Sequence, residues 1–176
     1  MKSQEYERVF LVESLPRGLA SHKKIDIQVG DFYESNAVDA LKIRRKGEAC
    51  ELIKKEGTLS KGRTEHVISI KRGEFDILFK ATTQNHGKVR YFYPVGEYVA
   101  EIDLYKGKLD GYVRVEVEFP DAKSMKKFAP PDWFGAEITR YNHDIHENLG
   151  VITYNDMKER LRSKKITLAR VRVGAL

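Results

Sequence analysis

Residues 112–119 read YVRVEVEF, and along this stretch apolar residues alternate with polar or charged ones. The apolar side chains fall on one face of an extended chain: Val113, Val115, Val117 and Phe119. The charged side chains fall on the other face: Arg114, Glu116 and Glu118. A period of two predicts a β-strand with one buried face.

The same period dominates the chain from Glu5 to Phe119, where turn signals such as Lys46-Gly47 and Val95-Gly96 separate the segments. We predict strands near 4–12, 25–32, 39–46, 49–55, 62–70, 87–93, 97–105 and 112–119. Helical spacing predicts short helices over 73–84, 121–129 and 154–163, and the alternating end 164–176 predicts a last strand. The predicted fold is mainly β (α+β): a closed eight-stranded antiparallel β-barrel with a few flanking helices.

Length and composition fit one domain over residues 1–176, with a basic helix and tail at about 154–176. The 32 Lys and Arg against 26 Asp and Glu give a net charge of +6, which suits a polyanionic ligand. A single cysteine, Cys50, excludes an internal disulfide framework. The first residues, MKSQEYERVF, hold no apolar signal or anchor segment, so we expect a cytoplasmic protein that does not enter a membrane.

Charges on the polar faces of the predicted strands are sorted by sign. Some strands carry carboxylates there, as in Glu5 with Glu7, and others carry cations, as in Lys42 with Arg44. Like charges two residues apart on one face lie about 7 Å apart and repel each other. A polar sheet face exposed to water is the usual explanation for such alternation, but the sorting of the charges by sign favours an enclosed binding site. There carboxylates would hold a divalent ion such as Mg²⁺, and Lys and Arg would hold phosphate oxygens.

From Glu5 to about Gly150 the chain resembles the CYTH superfamily, the triphosphate tunnel metalloenzymes. EYERVFLV (5–12) is similar to the first-strand motif Glu-x-Glu-x-Lys, with Val9 in the place of lysine. LKIRRKG (41–47) resembles the basic strand. VEVEFP (115–120) together with PPDWFGAEIT (130–139) is the most specific part of the resemblance.

The resemblance implies a metal-dependent hydrolase of a linear triphosphate, and inorganic triphosphate in particular, because the end of the chain is most like the short bacterial members. It implies these metal ligands: Glu5, Glu7, Asp103, Glu116 and Glu118. It implies these phosphate-binding residues: Lys42, Arg44, Lys54 and Arg90. Glu65 and Glu101 are the catalytic candidates that could accept the proton of the attacking water. The implied cofactor is Mg²⁺ or Mn²⁺.

Several alternatives remain open at this point. A class IV adenylyl cyclase or a nucleoside or thiamine triphosphatase would use the same fold. Val9 and Val67 each remove a charge from the family pattern, and Lys42 stands in for an arginine, so a tunnel that binds polyphosphate or a nucleotide without cleaving it is the alternative of another class. The basic tail lacks interleaved aromatic residues, so we do not expect nucleic-acid binding. The sequence leaves a homodimer open.

Overall fold

The computed structural model describes residues 6–33, 39–56 and 64–171, except for the side chains of Asp39, His143 and Asp144. The strands in these ranges are β1 (Tyr6–Val12), β2 (Lys24–Asp31), β3 (Asp39–Lys46), β4 (Ala49–Glu56), β5 (Thr64–Ile70), β6 (Gln84–Val95), β7 (Tyr98–Tyr105), β8 (Val113–Phe119) and β9 (Phe134–Glu137). The α-helices in the same ranges are α1 (Arg72–Phe79), α2 (Ala122–Lys127), α3 (Asn142–Ile145) and α4 (Tyr154–Ser163).

Within the described ranges the strands form one nine-stranded antiparallel sheet, in the order β5-β4-β3-β2-β6-β7-β8-β1-β9. Each of the eight strands predicted between residues 4 and 119 is present. The ninth, β9, was not predicted and pairs with β1. No backbone pairing joins the edge strands β5 and β9 among the described residues, so the predicted closed barrel is not confirmed.

The sheet is nevertheless strongly curled. Five strand spacings separate β4 from β8, and this would be about 24 Å in a flat sheet. Ile53 and Lys55 of β4 nevertheless line the same small cavity as Arg114 of β8. The sheet therefore has a concave face, which carries these residues, and a convex face.

The convex face is covered by α1 and by the end of α2. Phe75 of α1 packs on Ile43 and Cys50, and Phe128, which follows α2, packs against Phe10 and Phe119. Helix α1 ends earlier than the predicted 73–84. The Thr82 hydroxyl donates to the Phe79 carbonyl, and the following residues already begin the pairing with β2.

The C-terminal segment covers one end of the concave face. Val9 and Leu11 lie on this face because they stand opposite Glu116 and Arg114 across the β1–β8 ladder. They pack into a buried cluster whose members from the C-terminal segment include these: Ile138, Ile145, Leu149, Met157, Leu161 and Leu168. Apolar residues of β1 are thus buried under helices on the concave side.

The predicted last strand over 164–176 is wrong for its described part. Residues 164–171 form no strand, and their apolar side chains Leu168 and Val171 pack into the two large clusters instead. Residues 172–176 lie outside the described ranges. No helix in the described part of the chain has the length and apolar character needed to cross a lipid bilayer.

Candidate active site

A cavity of about 220 Å³ opens on the concave face. Its lining contains five cationic side chains: Lys42, Arg44, Lys55, Lys88 and Arg114. Asp31 is the carboxylate in this lining, and Lys42 Nζ lies 3.1 Å from its Oδ1. His86 also lines the cavity, and burial, with Lys88 and Lys42 nearby, lowers its pKa to about 3. This histidine is therefore neutral near pH 7 and adds no charge. Five cations against one carboxylate give the cavity an excess of positive charge, which suits an anion.

A buried ion-pair network adjoins the cavity and is centred on Asp103. Asp103 has no solvent exposure and lies 2.5 Å from Lys88 Nζ. Arg90 donates to both of its carboxylate oxygens, through Nε at 2.6 Å and Nη2 at 2.8 Å. Arg114 Nε donates to Oδ2 at 3.1 Å. Asp103 therefore positions cations from two neighbouring strands.

Burial and pairing set the protonation states in this network. Burial alone would raise the pKa of Asp103, but Lys88, Arg90 and Arg114 hold it well below its usual range. Burial lowers the pKa of Lys88 to about 8, and Asp103 opposes that shift. The removal of one member of a buried pair leaves the partner charge uncompensated, which is strongly destabilising. The pairing with Asp103 thus holds Lys88 and Arg114, which line the cavity, in place.

A carboxylate cluster lies beside the network, where β7 and β8 pair. Oxygen atoms of Glu101, Glu116 and Glu118 come within 4.8 Å of one another. Glu101 stands directly opposite Glu116 across the ladder. Like charges in that arrangement repel, and hard divalent ions prefer such oxygen ligands. The cluster therefore fits a divalent cation, while Arg90 pairs with Glu101 and Arg114 Nη2 donates to Glu116 at 2.9 Å.

The structure brings most of the predicted phosphate-binding residues together but not Lys54. Lys42 and Arg44 line the cavity, and Arg90 lies next to it in the Asp103 network. Lys54 lies on the convex face, where its Nζ is 2.7 Å from Glu56. Its neighbour Lys55 lines the cavity instead, because successive side chains of a strand point to opposite faces.

The two predicted catalytic carboxylates lie far apart in the sheet order. Glu65 is on the edge strand β5, where its Oε2 is 2.7 Å from Lys55 Nζ. Glu101 is on β7, in the carboxylate cluster. Val67, which departs from the family pattern, is also on β5, two residues from Glu65, and its side chain is half exposed. The structure thus places Glu65 beside the cationic cavity and Glu101 in the carboxylate cluster.

The first-strand residues of the site are only partly described. Glu5 lies outside the described ranges, and Glu7 stands opposite Glu118 across the β1–β8 ladder. Asp103, the remaining predicted metal ligand, has cations as its nearest partners. Val9 is fully buried in the apolar cluster under the C-terminal segment. Arg114 of the neighbouring strand brings a cation close to this end of β1, since it stands opposite Leu11.

Sequence reasoning did not assign Lys55, Lys88 or Arg114 to the site. Lys88 and Arg114 share their strand faces with Arg90 and Glu116, and that alternation was a usable signal. The family motif pointed to Lys54, which lies on the opposite face of β4 from the cavity-lining Lys55. The register of β4 decides which of the two lysines faces the cavity.

Comparisons with known proteins identify relatives of this chain. An inorganic triphosphatase of Nitrosomonas europaea is 34% identical over 141 residues, which cover 77% of this chain and 89% of that protein. An inorganic triphosphatase of Acetivibrio thermocellus is 33% identical over 72 residues, 41% of this chain and 45% of that protein. A crystal structure of an inorganic triphosphatase superposes with a TM-score of 0.69 at 27% identity, over 85% of this chain and 95% of that one. No family model matches the sequence.

The concave face of this curled antiparallel sheet carries a cationic cavity beside a carboxylate cluster, the two kinds of group that a metal–polyphosphate complex requires. The chain belongs to the inorganic triphosphatase family, within the CYTH superfamily of triphosphate tunnel proteins.

Proposed function

We propose that this protein hydrolyses inorganic triphosphate to orthophosphate and pyrophosphate with Mg²⁺ or Mn²⁺ as cofactor. The observation that carries the proposal is that a cavity lined by five cations lies beside a cluster of three glutamates, joined through the hydrogen bond from Arg114 to Glu116. A polyphosphate bound with a divalent ion needs both kinds of group at once.

The cations of the cavity would hold the phosphate oxygens. Arg44 offers a planar fork of donors and lies 2.7 Å from Glu51, which orients it. Lys42, Lys55 and Lys88 add point charges around the same space. Lys55 takes the place that the sequence analysis gave to Lys54. Phosphoryl transfer depends mainly on such positioning and charge stabilisation, so no nucleophilic side chain is required.

The carboxylate cluster would hold the metal. Glu101, Glu116 and Glu118 supply oxygen ligands, and Glu7 lies across the ladder from Glu118. Glu5 and Asp103 stay predicted ligands. A bound divalent ion would neutralise phosphate oxygens and favour attack by water. In the reaction, the water oxygen bonds to the terminal phosphorus and the bridging P–O bond breaks, so that the bridging oxygen leaves with pyrophosphate.

A carboxylate is the expected acceptor of the proton that water loses. Glu101, in the carboxylate cluster, and Glu65, beside Lys55, are the two candidates. A cytoplasmic location, a homodimer and a closed eight-stranded barrel stay predictions.

The test is phosphate release from triphosphate, pyrophosphate, ATP and thiamine triphosphate, each with Mg²⁺, with Mn²⁺ and with EDTA. We expect one orthophosphate and one pyrophosphate per triphosphate, and no release in EDTA. Production of cyclic AMP from ATP would replace the proposal with a cyclase. Metal-dependent binding of triphosphate without any product would make the protein a binding module.

A further inference from the structure

Asn142, the first residue of α3, lies between two charged residues of the concave face. Arg114 Nη1 donates to Asn142 Oδ1 at 3.0 Å. Asn142 Nδ2 donates to Glu7 Oε1 over a longer distance of 3.5 Å. The C-terminal segment thus reaches both the guanidinium that lines the cavity and a carboxylate on the metal side of the proposed site.

The chemistry of the two partners fixes the orientation of this amide. A guanidinium has donors only, so it requires the amide oxygen, and an ionised carboxylate has acceptors only, so it requires the NH₂ group. A rotation of the amide by half a turn would oppose donor to donor and acceptor to acceptor. Asparagine is therefore matched to both neighbours, whereas aspartate or leucine would match one or neither.

The backbone of Asn142 is held in turn by a partly buried histidine. His146 Nδ1 lies 2.7 Å from the Asn142 carbonyl oxygen and therefore donates to it. That tautomer leaves Nε2 as an acceptor, and the hydroxyl of the fully buried Tyr112 lies 2.6 Å away. Burial and the nearby Arg114 keep the pKa of His146 well below its usual value, so the neutral ring that this arrangement needs is present at neutral pH.

Arg114 makes a separate contact with each of its nitrogens. Nε donates to Asp103, Nη2 to Glu116 and Nη1 to Asn142. These contacts use three of the five N–H donors of a guanidinium. Asn142 completes the set of acceptors that fixes the plane of the group.

We propose that Asn142 is a positioning residue that holds Arg114 and Glu7 in a fixed relation, and so couples the phosphate side of the site to its metal side. This proposal rests on the proposed function, because that function defines the phosphate side and the metal side of the site. Its test measures ligand binding and needs no turnover. A residue that merely fills space under the C-terminal segment would not couple the two kinds of ligand.

The test is a pair of double-mutant cycles read by calorimetry. Asn142→Leu is measured alone, with Glu7→Gln and with Arg114→Lys, for the Kd of Mn²⁺ and for the Kd of triphosphate without metal. Loss of one hydrogen bond corresponds to roughly a fivefold change in Kd, so we expect Asn142→Leu to weaken both ligands by about that factor. In the Glu7→Gln background its effect on Mn²⁺ should vanish, and in the Arg114→Lys background its effect on triphosphate should vanish.

Asn155→Leu, an exposed asparagine on α4, is the matched control and should leave both constants unchanged. Effects of Asn142→Leu that simply add to those of Glu7→Gln and Arg114→Lys would overturn the proposal, as would unchanged binding. If Asn142→Leu does not fold, Asn142→Ala is measured in the same cycles. A wild-type protein that binds triphosphate but does not cleave it would remove the proposed function and leave this inference standing.

Discussion

Lys54 and Lys55 are neighbours in the sequence, but the pleat of β4 sends their side chains to opposite faces. Lys55 lines the cationic cavity and pairs with Glu65, whereas Lys54 lies on the convex face near Glu56 and His66. The two positions carry the same side chain in the same strand. They therefore form a matched pair for testing which face binds the substrate.

We predict that Lys55→Ala raises the KM for triphosphate by about 10-fold or more, since a charged contact to phosphate contributes about 1.5–3 kcal/mol. Lys54→Ala should change KM by less than about twofold, because exposed ion pairs contribute little. Steady-state kinetics of both variants at saturating metal gives the comparison. A larger effect at Lys54 than at Lys55 would mean that the convex face, or a different register of β4, binds the phosphates.

The residues of the concave face were predictable where strand alternation and the family motif agree. Strand alternation and the family motif both select these residues of the concave face: Lys42, Arg44, Arg90, Glu101 and Glu116. Lys54 was assigned from motif spacing alone, and a shift of one residue in a strand moves a side chain to the other face. Sequence gave no means of choosing between two adjacent lysines.

At the scale of elements, the segment before α4 is fitted closely against the start of β6. A Cβ atom built on Gly150 would lie 2.6 Å from the Asn85 backbone nitrogen and 2.9 Å from the Gln84 carbonyl carbon. These are backbone atoms of a paired strand, so they do not move aside easily. The absence of a side chain at Gly150 therefore permits the C-terminal segment to lie over the end of the cavity, where Leu149 contributes to the lining.

Gly150→Ala should lower the free energy of unfolding by about 1–3 kcal/mol, the usual cost of inserting a methyl group where no space exists. Gly73→Ala is the matched control: it lies in α1 and its Cβ would meet nothing within 4 Å. That variant should be more stable by about 0.5–1 kcal/mol, since alanine is the better helix former. Urea unfolding of both proteins measures the difference, and equal stability of the two variants would contradict the close packing at Gly150.

The elements that sequence reasoning found are those long enough to show a period. The eight strands between residues 6 and 119 span seven to twelve residues each, which is enough to display alternation. Strand β9 and helix α3 have four residues each, too few for any period to appear. Asn142 belongs to α3, so its contacts with the site were also beyond the reach of periodicity.

At the scale of the whole molecule, the site depends on the curl of the sheet. Charges of opposite sign were predicted on separate strands, but their distances depend on how far the sheet rolls. Cations of β3 and β4 line one cavity together with Lys88 and Arg114. They do so because the curled sheet brings together strands that are far apart in the hydrogen-bonding order. Local alternation does not encode that curvature. Closure by backbone pairing was an expectation from strand number, and β5 and β9 remain separate edges in the described part of the chain.

The central claim is that one concave face holds metal on its carboxylates and phosphate on its cations. A crystal soaked with Mn²⁺ and triphosphate, measured at the manganese absorption edge, tests this most directly. We predict anomalous density among Glu101, Glu116 and Glu118, with phosphate groups against Arg44, Lys55 and Lys88. Manganese bound away from those glutamates, or phosphate bound on the convex face beside Lys54, would contradict the account.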